Sequence, residues 1–304
     1  MRISALFALF LLLTLAGSLQ AQSLTGIGTR AEGMGGAFVA VADDATAVYW
    51  NPAGIATGAT FDFQVSGGPD SALFVGASLP VLGASFYRTR QLAGFTTVQS
   101  PAGRENEGSG EVPARTFTTT NIGVTVVQTV ARGLVIGTTL RSVSADVDSV
   151  DSGSSFDFDA GGMVSAGSLR VGLVARNVRE AEFQIDAGVI RMPRQFRLGA
   201  ALAPRSLPAG IHGPYSLAVD VDLTTTQGLT GERRGAAVGG EYWLAKGFVG
   251  LRGGVRWSTL GDSNRAFSGG LTVRLPKSFH IEGQVTEGTD SEEAQWTAGA
   301  RITF

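Results

Sequence analysis

The 304-residue chain contains no cysteine. That excludes disulfide frameworks, thiolate-held metals and thiol chemistry. Histidine occurs only at His212 and His280, too few for a multi-histidine metal centre. Lysine is confined to Lys246 and Lys277, and every other cation is arginine. Charged residues are 16% of the chain, against about 25% in an average globular domain. A formal net charge of −2 gives no electrostatic basis for binding nucleic acid. No stretch after the first twenty or so residues approaches the ~18 apolar residues that a spanning helix needs.

What the chain does have is glycine, 43 residues of it, roughly twice the usual share of about 7%. It also has a distinctive start. Met1–Ala21 reads as a secretory signal, with Arg2 as the positive end and Ala5–Ala16 as the apolar run. Gly17 and Ser18 follow, and Leu19-Gln20-Ala21 offers a cleavage site. The run is about 12 residues, short of the ~20 that cross a bilayer. Export is therefore expected.

The remainder alternates with period two. In the last segment Ala294, Trp296, Ala298, Ala300, Ile302 and Phe304 share one face, and Gln295, Thr297, Arg301 and Thr303 the other. The same pattern sets Leu251 and Val255 against Arg252 and Arg256, and Leu217, Val219 and Val221 against Asp220 and Asp222. Fourteen such segments are expected, near 60–66, 71–79, 82–90, 115–130, 134–148, 154–166, 169–178, 191–203, 213–226, 233–245, 248–259, 265–275, 279–287 and 293–304.

Alternation alone fits a sandwich, a propeller or a membrane barrel. The connections discriminate between them. Short links such as Ala131-Arg132-Gly133 and Gly167-Ser168 alternate with longer polar ones such as Gln91–Ala114, Glu180–Ile190 and Gln227–Glu232. Pro204–His212 is long but falls in the short set. Short turns on one rim, long loops on the other and an even strand count mark an outer-membrane barrel. The terminal Phe304 resembles the signal that the barrel-assembly machinery reads. The expected fold is all-β: a transmembrane, antiparallel, up-and-down barrel of about 14 strands embedded in outer-membrane lipid.

In this register the polar faces line the lumen. They bring Arg141, Arg170, Arg176, Arg197, Arg252, Arg256, Arg274 and Arg301 opposite Asp62, Asp157, Asp159, Asp220, Asp222, Glu241 and Glu282. The two signs nearly balance, so a bracing network of ion pairs is expected rather than an ion-selective channel. Neither a Ser–His–Asp grouping nor a metal-ligand spacing accompanies the paired acids, so no enzyme, metal or cofactor is expected. His280 and Glu282 share a face and are expected to hydrogen-bond. Phe74, Met163 and Trp243 are the few large apolar side chains turned inward.

The segment 22–58 differs from the rest. It is rich in small residues that permit close backbone packing. Its Met34, Phe38, Val39, Val41, Tyr49 and Trp50 argue against free solvation. Asp43 and Asp44 are expected to cap a short helix over Ala45–Tyr49 or to pair with lumenal arginines. Pro52 should end that turn by forcing Asn51 out of helical geometry, and Gly54 should let the chain reverse. A plug inside the barrel follows, dividing the chain into 1–21 (signal), 22–58 (hatch) and 59–304 (barrel).

The string GMGGAFVAVADDATAVYWNPAGIA, Gly33–Ala56, resembles the N-terminal signature of the FadL/PorV superfamily of outer-membrane proteins. Its most specific piece covers Ala42–Gly54, and within it the wording AVYWNPAG, Ala47–Gly54, is most similar to the PorV/PorQ branch. The resemblance implies a fourteen-stranded barrel with a lumenal hatch, and it marks Gly33, Met34, Gly35, Gly36, Asp43, Asp44, Asn51, Pro52 and Gly54 as the hatch motif. The PorV/PorQ branch implies association with type IX secretion, with secretion components or secreted proteins as partners. The FadL branch implies instead uptake of fatty acids or other hydrophobic molecules. The longest loop, with SPAGRENEGSGE, is polar, unlike the apolar capture loops of that branch.

Overall fold

The computed structural model describes residues 26–69, 72–93, 115–147, 150–185, 188–203, 214–228, 231–244, 247–261, 264–289 and 294–304. The expected signal segment, most of the connection 91–114 and the connection Pro204–His212 lie outside the described residues.

The strands are β1 Asp62–Gly67, β2 Leu73–Leu79, β3 Leu82–Ala93, β4 Arg115–Ala131, β5 Leu134–Val147, β6 Val150–Ala166, β7 Leu169–Arg176, β8 Glu182–Ile185, β9 Gly188–Arg191, β10 Gln195–Leu202, β11 Tyr215–Asp222, β12 Thr226–Gly228, β13 Gly231–Arg233, β14 Gly235–Leu244, β15 Val249–Ser258, β16 Arg265–Leu275, β17 Phe279–Gly288 and β18 Gln295–Thr303. All but β8, β9, β12 and β13 form one closed antiparallel barrel of fourteen strands, in which β1 closes on β18. Each of the fourteen segments read from the alternation overlaps its own barrel strand. The pairs β8–β9 and β12–β13 are separate hairpins. They fall where Glu180–Ile190 and Gln227–Glu232 were expected to be plain loops. Strands of three or four residues are too short to display a period.

Closure pairs every strand on both sides, which is what backbone in lipid requires. The exterior carries exposed Leu, Val and Ile on strand after strand, including Val65, Ile122, Leu140, Leu173, Leu217, Leu251 and Ile281. Exposed aromatics gather at or near strand ends, except Phe156, which lies six residues inside β6. Phe156, Phe196, Phe267 and Trp296 mark the rim that carries the longer connections, and Phe248 and Phe304 mark the other. Such girdles flank the apolar band of a membrane barrel. At the inner rim the Phe304 and Phe61 backbones exchange two hydrogen bonds, at 2.9 and 3.1 Å, and their rings stack at 6.1 Å.

The wall is uneven. β4 and β6 have 17 residues, whereas β7, β10 and β11 have 8. On β5 the outward residues change from Ile136 and Leu140 to the exposed Ser142 and Ser144. Phe156 on β6 pairs with Ser142 at that level, with Ser154 beyond it. The outer ends of β4–β6 thus rise clear of the apolar band.

Candidate functional site

Residues 26–58 lie inside the barrel and are almost wholly buried. They form α1 (Thr29–Gly33), α2 (Ala47–Trp50) and a 3-10 turn, Pro52–Thr57. Ile27, Met34, Phe38, Val41, Val48 and Trp50 make one apolar cluster with the inward-facing Phe74, Tyr87 and Met163 of the wall. Two of the three large apolar residues expected to turn inward, Phe74 and Met163, do so and pack against the hatch. Trp243 donates to Glu241 Oε1 at 3.0 Å instead.

The seat is made of inward glycines. A Cβ on Gly239 would fall 2.1 Å from the Met34 carbonyl oxygen, and one on Gly254 would fall 2.2 Å from its carbonyl carbon. On the opposite wall, Gly137 and Gly161 leave room for Pro52 and Asn51, and Gly172 for Val39. The glycine abundance thus answers a packing need, because the hatch backbone lies directly on the wall.

Charged groups pin this contact. The Arg30 guanidinium donates to both oxygens of Glu241, at 2.9 and 3.1 Å, and to Asp44 at 3.2 Å, and it also pairs with Asp43. Burial alone would lower its pKa, but Asp43, Glu241 and Asp44 hold it well above the ordinary value. Burial likewise pushes Asp44 up, but Arg30 and Arg301 more than reverse that and keep it low. Arg252 donates to Glu241 at 2.7 Å and faces Glu282 at 3.6 Å. Glu32 accepts from Gln284 and Thr297, both at 2.7 Å. Burial nevertheless pushes its carboxyl up to about 7. The bracing network thus joins wall to hatch through Arg30–Glu241, Arg170–Asp43 and Arg301–Asp44, while pairs such as Arg252–Glu241, Arg197–Asp220 and Arg301–Asp62 lie within the wall.

The motif residues all take part. Gly33 ends α1, where a Cβ would reach 3.3 Å from Gly270 Cα. Gly35 and Gly36 have φ of +66° and +79°, the left-handed region that other residues avoid. Asn51 has extended geometry, as Pro52 demands, and its side chain donates to Val39 O at 3.0 Å and to Gly162 O at 3.2 Å. Three expectations need correction. The helix is Ala47–Trp50 rather than Ala45–Tyr49, because Asp44 Oδ1 accepts from Thr46 N at 3.0 Å and Thr46 takes the capping position. Gly54 does not serve a chain reversal. It lies in the 3-10 turn, where a Cβ would collide with Ala42 O at 1.9 Å. His280 does not pair with Glu282. It packs edge-on to Trp243 at 6.4 Å, while Glu282 turns to the hatch and Arg252.

Sequence reasoning missed a second apolar cluster. Phe117, Val143, Ala145 and Val147, on the raised ends of β4 and β5, enclose Ala181 and Phe183. Beneath it runs a polar layer: Arg141 donates to Asn121 at 2.7 Å and to Asp159 at 3.2 Å, and it faces Asp157 at 3.6 Å. The paired acids Asp157 and Asp159 are thus tied to a guanidinium. Among the described residues no group of three or more His, Cys, Asp or Glu has metal-binding geometry.

No protein-family model matches this chain, and no curated protein is similar to it in sequence. Solved structures are similar in fold. The "CymD monoaromatic hydrocarbon channel" superposes with a TM-score of 0.65 at 13% identity, over 93% of this chain and 99% of that one. The P. putida toluene transporter TodX superposes at 0.63 and 11%, over 93% and 99%. At such identities the likeness establishes the architecture alone, a closed barrel matched along nearly its full length.

Proposed function

We propose that this chain is an outer-membrane channel, without chemistry of its own, that takes up hydrophobic small molecules. The observation carrying this reading is a lumen filled by an apolar-cored hatch lying against the wall, with Ile27, Met34 and Phe38 fully buried. A water-filled pore suits polar solutes. A passage lined by protein suits solutes that gain by leaving water. The whole-length likeness to hydrocarbon channels supports the same reading. In it the chain is exported, inserted by the barrel-assembly machinery through Phe304 and seated in outer-membrane lipid, as a FadL-like member of the superfamily that the hatch motif resembles.

A second reading keeps the PorV/PorQ branch and a role in type IX secretion. Its support is the wording AVYWNPAG at Ala47–Gly54 within the hatch motif. Gene deletion separates the two. Impaired uptake of toluene or a fatty acid with normal secretion supports the channel. Loss of secreted proteins that carry a sorting domain, with normal uptake, overturns it in favour of the secretion role.

A further inference from the structure

The outside of the barrel's raised side carries a charged ledge at the edge of the apolar band. Arg88 and Arg90 on β3 share the outward parity of Leu82, Ala84 and Phe86, and both are exposed. Strand pairing sets the ledge in rows. Val75, Phe86, Ile122 and Phe156 make an apolar row across β2, β3, β4 and β6, with Ser142 of β5 between the last two. The next row outward is Leu73, Arg88, Thr120, Ser144 and Ser154. From β3 to β6 that row is one guanidinium followed by three hydroxyls. One row farther lie Arg90, Thr118 and Asp146. Successive rows are about 7 Å apart, and the row from Arg88 to Ser154 is about 14 Å wide.

The band ends differently on other strands. On β15 and β18 the outward residues near the same rim are Trp257 and Trp296. On β16 and β17 they include Arg265 and Glu287, of opposite sign. Among the described side chains of the barrel strands, only β3 sets two cations at successive outward positions. A lipid-facing arginine is costly at the bilayer midplane and tolerated at the interface. The ledge therefore lies at the level of the lipid headgroups, with acyl chains below it.

We propose that this ledge binds a phosphorylated glycolipid of the outer leaflet: Arg88 and Arg90 hold a phosphate, Thr120, Ser144 and Ser154 meet the sugar, and the acyl chains lie on Phe86, Ile122 and Phe156. A guanidinium presents a fork of donors that fits phosphate oxygens. A serine or threonine hydroxyl both donates and accepts, as a sugar hydroxyl does. The width selects the class. A phosphoglycerol headgroup centred on Arg88 leaves Ser144 and Ser154 out of reach, whereas a disaccharide extends across β4–β6. Asp146 stands beyond Thr118 and bounds the cationic part of the ledge. The inference goes beyond the channel reading and holds whichever function the barrel has.

The probe is lipid A, an acylated glucosamine disaccharide with two phosphates, titrated against the folded full-length protein in detergent and counted as bound lipid by native mass spectrometry. Its dephosphorylated form and phosphatidylglycerol are run alongside. A cation beside an anionic lipid surface contributes roughly fivefold in affinity. Arg88→Gln combined with Arg90→Gln should therefore weaken lipid A binding at least about fivefold. The same pair should cost little with the dephosphorylated form. Ser144→Ala combined with Ser154→Ala should weaken lipid A and leave phosphatidylglycerol unchanged. Arg265→Gln, also outward and exposed, should leave lipid A binding as it is. If the arginine pair can be replaced without loss, or if Arg265→Gln costs as much, no phosphate site exists at the ledge. If phosphatidylglycerol binds the wild type as tightly as lipid A does, the ledge is a general anionic-lipid surface and the glycolipid assignment is overturned.

Discussion

Gly253 and Gly254 are neighbours on β15 that face opposite ways, and they isolate the contact between hatch and wall. A Cβ on Gly254 would lie 2.2 Å from the Met34 carbonyl carbon, 2.3 Å from its oxygen and 2.5 Å from Gly35 N. All three are backbone atoms of a segment pinned on either side by α1 and by the left-handed Gly35 and Gly36. The clash cannot be relieved by a rotamer change. A Cβ on Gly253 would meet only Ser268 O, at 3.9 Å. Overpacking costs typically about 1–3 kcal/mol, and a backbone-on-backbone clash belongs at the upper end. Gly253→Ala should stay within about 0.5 kcal/mol of wild type, as exposed substitutions do. The assay is the temperature at which the fast-migrating folded form is lost on a gel in detergent, together with conductance in planar bilayers. Gly254→Ala should lose the folded form several degrees earlier and conduct more, because its hatch is partly unseated. Equal melting and equal conductance in the two variants would refute the seating of Met34 on β15.

Other consequences are testable in the same way. Burial raises the Glu32 carboxyl from the usual 4.5 to about 7, so its contribution is complete below pH ~4.5 and is lost as pH rises through 7. The loss reaches about 3 kcal/mol at alkaline pH, and Glu32→Gln should flatten the melting profile between pH 5 and 9. Arg30→Met leaves Glu241 to Arg252, and Asp43 and Asp44 to the more distant Arg170 and Arg301, and should cost about 3 kcal/mol, the low end for breaking a buried ion pair, in thermal melts. Deleting Phe304 removes the ring stack and both backbone bonds to Phe61, so less folded barrel should reach the membrane in fractionated cells. The alternation by itself ranks Leu251→Arg as worse than Arg252→Leu, but the structure reverses that order. Leu251 is close to the inner end of β15, where a lipid-facing charge costs less than the ~2–4 kcal/mol of the midplane. Arg252→Leu leaves Glu241 and Glu282 short of a buried partner, about 3–5 kcal/mol, and comparative melts will show the order.

The strands were legible because lipid on one side and lumen on the other impose a choice on every residue. Leu217, Val219 and Val221 against Asp220 and Asp222 could be read without knowing any neighbour. The hatch was legible as a small-residue segment with unsolvated aromatics. What escaped depends on closure. That Gly239 and Gly254 would both lie under Met34 follows from strand stagger, which period two does not encode. A shared face placed His280 beside Glu282, but the rotamers answer to Trp243 and Arg252. Phe183 went unnoticed because one aromatic in a polar loop carries no pattern, and its meaning comes from Phe117, 66 positions earlier in the chain.

The glycine seats imply an order of events during assembly. The hatch is the first part of the described chain to be made, yet its supports come from β5–β7 on one side and from β14–β16 on the other, with Arg301 contributed by β18. No sheet shorter than β5–β16 presents both halves. Residues 26–58 must therefore wait, with Phe38 and Trp50 unsheltered, until β18 meets β1 or until the sheet curls round them. Whatever holds the unfinished chain before closure has to shield that segment longer than any strand. The last contact, between Phe61 and Phe304, then locks in place the segment that was synthesised first.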